Sequence, residues 1–441
     1  MTTLKTDLTA QEIARMNREY TFFSWSVQSA TQPIPMTRAE GIYFWDADGK
    51  RYLDFSSQLM NMNIGHQHPQ VVRAIQEQAG KLSYAHPAIA TEPRGLLGKK
   101  LAEITPGNLK KTFFCLGGAE ANENAIKIAR LYSGRRKILA RYRSYHGATH
   151  GSLALTGDYR RLPAEPLMPD VVHFLDPYCY RCPFGWTKQT CHRECIAHVE
   201  EIINYEGPDR IAAVIMEGVT GSNGLIVPPD DYWPRVREIC DRYGILLISD
   251  EVMSGWGRTG KWFAVDNWNV VPDIITTAKG VTCGYVPLGV VIVSEKIAAH
   301  FEDNMLWCGL TYSGHPLACA AALATIDVYT SDNLFENTLE VGKVLGERLE
   351  KIKASHPSVG DARYIGLFSA LEIVKSKKTK EPIDPLTETG KFLRANGLFT
   401  FIFHNILFIV PPLCITEAQL DEGLEIIERA LKITDALCAV D

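Results

Sequence analysis

Lys279 stands in the run DIITTAKGVTCGYVPLG, residues 273–289, among β-branched, small and apolar residues with no carboxylate after Asp273. A lysine on such a strand gives up much of its hydration, which is costly unless the amine is paired, neutral or covalently used. Two other features end apolar runs in the same way. Residues 112–116 lead into Gly117-Gly118-Ala119 and then into residues 120–130, where Ala121, Ala125, Ile128 and Ala129 fall on one helical stripe. A strand, a glycine turn and a helix start can cradle a phosphate through free N–H groups and the positive helix end, or can be a plain βα turn. Residues 244–249 lead into Asp250-Glu251-Val252, an acid that either caps the turn or faces a ligand. A phosphate cradle, a carboxylate and a desolvated lysine on one sheet edge together suit pyridoxal 5'-phosphate. That cofactor needs its phosphate anchored, its aldehyde held by an amine and its ring nitrogen kept protonated.

These residues need a sheet to bring them to one edge. Apolar runs at 111–116, 137–143, 211–216, 245–250, 274–278 and 288–294 alternate with helical patterns. Several are nearly continuous in apolar residues, as parallel strands covered on both faces are, so a mostly parallel α/β sheet is expected in the middle of the chain. Ligand clefts in such sheets lie beyond the carboxyl ends of the strands, where all three features stand. Residues 37–55, with the Asp48-Gly49 turn, read as an antiparallel hairpin. From about residue 316 the pattern is mostly helical, with short strands near 365–371 and 399–410. The expected division is a small α+β domain built from both termini, 1–72 and 320–441, around a large domain, 73–319.

Composition excludes other classes. With 441 residues and 46% of them hydrophobic, the chain can bury a large core. A net charge of -5 with thinly spread basic residues offers no footprint for nucleic acid or an anionic membrane. The N-terminal stretch MTTLKTDLTAQEIARMN has no apolar core of a signal peptide, and Thr9 with Glu12 forms a capping-box pattern that opens a short helix. The apolar run 398–413 is broken by His404, Asn405, Pro411 and Pro412, so it reads as core rather than a membrane span. Eleven scattered cysteines point to reduced thiols in the cytoplasm. Cys179, Cys182, Cys191 and Cys195 have spacings that zinc could use, but their short separation also suits a loop of ordinary cysteines, and no metal is assigned. Gly255-Trp-Gly-Arg-Thr-Gly260 matches G-x-G-x-x-G, yet no capped helix and no ribose-binding acid follow it.

Gly117-Gly-Ala-Glu-Ala121, Tyr145-His-Gly147, Asp250-Glu-Val252, Thr277-Ala-Lys-Gly280 and Thr311-Tyr-Ser-Gly-His-Pro316 resemble the motif set of the class III, or omega-type, aminotransferases, in the same order and spacing from residue 41 onward. Thr21-Phe-Phe-Ser-Trp25 and Pro411-Pro-Leu-Cys-Ile-Thr416 are similar to the taurine and amine transaminase branch. The resemblance implies the fold type I of pyridoxal-phosphate enzymes and a homodimer. It implies that Lys279 binds the cofactor aldehyde and moves the substrate proton, and that Asp250 holds the ring nitrogen. Tyr145 and Val252 would flank the ring, Gly117, Gly118 and Ala119 would take the phosphate, and Thr311 would complete that phosphate site across the subunit interface. Glu217 matches a glutamate near the substrate. His146 reads as structural.

Two positions depart from the family. Gly117 stands where relatives carry serine. Residues 399–410, just before Pro411, contain no arginine, where relatives bind the acceptor's carboxylate; Phe403 or His404 stands there instead. The expected reaction moves an amino group from an amine or omega-amino acid, of taurine or β-alanine type, to a 2-oxo acid such as pyruvate. A lyase, racemase or aminomutase of the same fold keeps every motif, and a non-catalytic cofactor-binding module is the reading from another class.

Overall fold

A computed structural model describes residues 8–187 and 189–438; the first seven residues of the N-terminal stretch lie outside them. The capping box forms as its spacing predicts. Thr9 accepts from the backbone of Glu12 at 3.2 Å while Glu12 accepts from the backbone of Thr9 at 2.8 Å, opening the helix Ala10–Tyr20. Three short strands follow, β1 (Met36–Glu40), β2 (Tyr43–Asp46) and β3 (Arg51–Asp54), paired antiparallel. The turn between the last two closes on Asp46, whose Oδ1 accepts from the backbone of Asp48 and Lys50 at 3.1 and 2.9 Å. Gly49 adopts φ +83°, which side chains with a Cβ rarely take.

The six apolar runs become β4 (Leu109–Cys115), β5 (Lys137–Arg141), β7 (Ile211–Glu217), β8 (Leu246–Asp250), β9 (Ile274–Thr277) and β10 (Gly289–Ser294), joined by one further strand, β6 (Val171–Phe174). The sheet order is β4-β10-β9-β8-β7-β5-β6. From β6 to β9 all neighbours are parallel, but β10 runs antiparallel to both β9 and β4. The reason lies in the connection. A parallel return needs a crossover, usually a helix, whereas β9 and β10 are linked only by residues 278–288 with a single 3₁₀ turn, Lys279–Val281. The turn that reverses the chain is the one that carries Lys279.

Every residue of β7, β8 and β10 is buried. Period-two alternation divides them between two layers. Ile138, Ala213, Ile215, Ile248 and Val291 join the core under the helix Gly118–Ser133, through Ala121, Ala125, Ile128 and Ala129. Leu139, Val214, Met216, Leu247 and Ile292 join the core under the helices Glu194–Glu206 and Tyr232–Tyr243.

The C-terminal strands are β11 (Val359–Ile365), β12 (Phe368–Ile373), β13 (Leu398–Phe399), β14 (Ile402–Phe403) and β15 (Ile406–Ile409). Four form an antiparallel sheet in the order β11-β12-β15-β14, while β13 pairs parallel with β3 and so joins the two ends of the chain in one sheet. The division 1–72, 73–319 and 320–441 is proposed on that junction; its last cut runs through the helix Pro316–Ser331.

The loop after β6 reaches across to β12. Buried Glu372 accepts from Tyr178, from Arg181 Nε at 2.5 Å and from Arg363 Nη1 at 2.7 Å. Burial opposes the charge on Glu372, and the arginines with the tyrosine hydroxyl overcome it, so its carboxyl lies below the usual range. Cys179, Cys182 and Cys191 of the same loop, with Cys195 at the start of the helix Glu194–Glu206, line one cavity of about 20 Å³. None of the described cysteines forms a disulfide, and among the described residues no three metal-ligating side chains are grouped to hold an ion.

Candidate active site

Three strand ends meet at one edge of the seven-stranded sheet. Glu217 and Asp250 end β7 and β8 as directly opposed partners, and Asp250 faces Thr276 on β9, three residues before Lys279. Lys279 is partly buried and adopts φ +43°, a left-handed conformation that costs a residue with a Cβ free energy and tends to occur at functional sites. The protein around its amine disfavours the charged form, against the pull of Asp250 and Glu217, and lowers its pKa to about 8.

Asp250 is 2% exposed and saturated with donors. Its Oδ2 accepts from Asn122 Nδ2 at 2.8 Å and lies 2.7 Å from His146 Nδ1; its Oδ1 accepts from the backbone of Val252 at 3.0 Å. A carboxylate only accepts, so the contact fixes the His146 proton on Nδ1. The Asn122 amide is itself oriented, with Oδ1 accepting from Thr276 at 2.7 Å. His146 therefore does more than brace a turn, and neither its contact nor that of Asn122 was visible in the spacing of the motifs.

Glu217 is buried, its pKa raised first by burial and then by the Asp250 charge. Its Oε1 accepts from the backbone of Tyr145 at 3.1 Å and its Oε2 from Gly221 at 2.7 Å. Arg141, wholly buried, donates to the Glu217 carbonyl at 2.7 Å. Arg258 is also wholly buried, donating to Asn63 Oδ1 at 2.8 Å, to Ser57 at 2.6 Å and to the Pro411 carbonyl. Its segment, residues 255–260, folds as a tight return in which Gly257 donates to the Lys261 carbonyl at 3.0 Å, not as a strand-to-helix turn.

The glycine turn opens the helix Gly118–Ser133, and no side chain caps it. A Cβ on Gly117 would meet nothing within 4 Å, which leaves room for a ligand there. A Cβ on Gly118 would come 2.8 Å from a methyl of Val252, so that side chain packs directly over the turn. A Cβ on Gly289 would sit 2.3 Å from the Gly117 carbonyl oxygen; β10 therefore lies backbone to backbone against the cradle. Uncapped N–H groups at the start of a 16-residue helix fit a phosphate. Lys279 fits an aldehyde and Asp250 a protonated ring nitrogen, so the residues present suit pyridoxal phosphate.

Tyr145 lies beside Glu217, and Arg160 places its guanidinium carbon 4.2 Å from the Tyr145 ring centre. The same guanidinium is 4.9 Å from the ring of Phe403. His404 turns away to Asp384, at 2.8 Å. Thr311 is exposed, with its carbonyl accepting from Tyr84 at 2.9 Å.

The class III aminotransferase family model matches residues 25–431 of this constellation and its frame. The chain belongs to that family. This aminotransferase is 38% identical, over 90% of each chain, to a leucine/methionine racemase of Thermococcus litoralis. It is 36% identical to the taurine–pyruvate aminotransferase of Bilophila wadsworthia, covering 95% of this chain and 96% of that one. A taurine:2-oxoglutarate aminotransferase from Bifidobacterium kashiwanohense, solved with PLP and glutamate, superposes with a TM-score of 0.95 at 45% identity, over 98% of this chain and 100% of that one. The fold is thus type I of the pyridoxal-phosphate enzymes, and the reaction is a pyridoxal-phosphate-dependent transfer of an amino group.

Proposed function

We propose that this aminotransferase takes its amino group from an amine or an omega-amino acid, of taurine or β-alanine type, and passes it to a 2-oxo acid such as pyruvate. The observation that carries the reading is Lys279, an amine with pKa about 8 at the same sheet edge as an Asp250 carboxylate held by three donors. When bound, pyridoxal phosphate supplies an aldehyde for covalent attachment and an electron-poor ring that draws off the electrons of a substrate C–H bond. Lys279 would hold the cofactor through its aldehyde, and its amine would move the proton at the substrate carbon. Asp250, held by Asn122, His146 and the Val252 backbone, would keep a proton on the ring nitrogen. Gly117, Gly118 and Ala119 would offer N–H groups to the phosphate, and Tyr145 and Val252 would flank the ring. Glu217 borders the substrate side.

The reading includes a homodimer in which Thr311 completes the partner's phosphate site. Exposed Met305, Trp307 and Tyr312 around it, at 66, 69 and 51% exposure, support a covered face there. Among the described residues no helix is long and apolar enough to cross a membrane. Work in the cytoplasm and thiols kept reduced belong to the same proposal.

The racemase relative gives the alternative its weight. A donor panel separates the two: taurine, β-alanine, simple amines and L-leucine, each mixed with holoenzyme while the cofactor spectrum is followed. Omega-amino donors should convert the cofactor to its amine form and yield alanine on adding pyruvate. Inversion of leucine without any oxo acid, and no amino transfer, would replace the reading with racemisation.

The amine of Lys279 also sets a pH dependence. Below its pKa of about 8 it is protonated and cannot attack an aldehyde; above, it is neutral. Attachment of cofactor to the apoprotein is therefore expected to accelerate about tenfold per pH unit up to near pH 8 and then level off, as a nucleophile of that pKa requires. Stopped-flow absorbance checks it. A rise continuing past pH 10 would mean an amine of ordinary pKa.

A further inference from the structure

The strain at Lys279 has to be balanced by the residues around it. Its φ of +43° falls in the 3₁₀ turn Lys279–Val281, and Cys283 and Trp256 near that turn are left-handed as well, at φ +50° and +61°. Such conformations cost a residue with a Cβ free energy and persist only where the surroundings over-determine them. The turn makes two bonds of its own, from Val281 to the Ala278 carbonyl at 3.0 Å and from Thr282 to the Lys279 carbonyl at 3.3 Å. Neither uses the Gly280 carbonyl.

That carbonyl is bonded from another element. Tyr329, near the C-terminal end of the helix Pro316–Ser331, donates its hydroxyl to the Gly280 oxygen at 2.9 Å. Cys283 Sγ lies 3.4 Å from the same oxygen and 3.3 Å from the Tyr329 hydroxyl. Tyr329 is wholly buried, with its ring centre 6.0 Å from that of Trp256, 5.8 Å from Trp262 and 5.9 Å from Phe335. Burial pushes its hydroxyl well above the usual range of a phenol, and the neighbouring thiol adds to the effect, so it keeps a hydrogen to give. Gly280 is also wedged by packing. A Cβ there would come 2.5 Å from Trp256 Cβ and 2.7 Å from Asn63 Nδ2. Trp256 is itself pinned, its indole donating to Thr277 Oγ1 at 2.5 Å and its carbonyl accepting from Asn63 at 2.8 Å.

Resting on the reading of Lys279 above, we infer that Tyr329, seconded by Cys283, is a positioning residue: it fixes the Gly280 peptide, and through it the turn that sets the place of the Lys279 amine. The charges that face this amine are Asp250 and Glu217, which favour its protonated form, and Arg258 and Arg160, which oppose it; burial opposes it most. With the Gly280 carbonyl released, the turn relaxes and the amine leaves the depth at which burial holds its pKa at about 8.

The test uses Tyr329→Phe, which keeps the ring and deletes the hydroxyl. Its control is Thr325→Val, which deletes a wholly buried hydroxyl one turn earlier on the same helix, bonded to the Ala321 carbonyl at 2.8 Å. Attachment of pyridoxal phosphate to the apoprotein is followed against pH by stopped-flow absorbance. In Tyr329→Phe the pH at which the rate levels off should rise by about one pH unit. The half-reaction of the loaded enzyme with β-alanine should slow about tenfold with KM little changed, because a displaced base costs rate rather than binding. Cys283→Ala, which takes the second contact from the same oxygen, should move both readouts the same way by about twofold or less. Thr325→Val should lower the melting temperature and move neither. Readouts unchanged in Tyr329→Phe, or moved equally in Thr325→Val, would overturn the inference. If Tyr329→Phe does not fold, readouts unchanged in Cys283→Ala would overturn it too. Attachment as fast to Lys279→Ala as to the native chain would remove the reading of Lys279 and this inference together. A donor panel that favours racemisation leaves the attachment profile as the deciding measurement.

Discussion

Lys279→Ala is expected to abolish detectable turnover, with transamination falling by at least the roughly 10²–10⁴-fold that removal of a general base costs. Two roles disappear together, the covalent hold on the cofactor and the base that moves the substrate proton. Borohydride treatment of the native holoenzyme should fix the cofactor irreversibly to Lys279, mapped by peptide mass, and should fix none in the variant. The φ of +43° adds a structural control. Alanine there keeps the Cβ and its strain, so the melting temperature should change little and lost activity cannot be assigned to unfolding. Turnover within tenfold of native would remove Lys279 from the chemistry.

The second large effect concerns Asp250. In Asp250→Asn the shape is nearly kept, the charge is lost, and one amide hydrogen pair must face donors: either Asn122 Nδ2 and His146 Nδ1–H, or the Val252 N–H. Without a carboxylate the ring nitrogen loses its proton and with it much of its pull on the substrate C–H bond. Proton abstraction, read as the rate of the half-reaction and its deuterium isotope effect, is expected to slow about 10²–10³-fold, as for other pre-organised charges in dry sites. Cofactor affinity, held mainly by the phosphate cradle and Lys279, should weaken far less. Equal losses in both would make Asp250 a purely structural acid.

The parts of this site that could be read from the sequence are those governed by local rules. Strands are apolar runs, ligands sit beyond their carboxyl ends, and a glycine turn before a helix invites an anion; so Gly117, Asp250 and Lys279 could be placed on one edge before any coordinates. The direction of β10 could not, because an unbroken buried run looks the same parallel or antiparallel, and only the shortness of residues 278–288 betrays the reversal. Nor could Asn122 and His146: His146 lies within a recognised motif and Asn122 directly after one, but the bond to Asp250 joins residues more than a hundred positions apart. Arg160 carried no signal at all. It belongs to none of the motifs, and only the fold brings it between Tyr145 and Phe403.

The reversal of β10 has a consequence in time. Gly289 is the direct partner of Cys115, and its backbone lies against Gly117, so the cradle is braced by a strand synthesised much later than the turn it supports. At ribosomal speeds of about 5–20 residues per second, roughly 9–35 s separate the two. A nascent chain that has just released Lys279 already holds the amine and the acid, yet the edge strand β4 has nothing to pair with until β10 emerges. With the phosphate site proposed at Gly117, cofactor capture is expected only once residue 289 has emerged, and a ribosome stalled before it would present a chain that pyridoxal phosphate can touch but not keep.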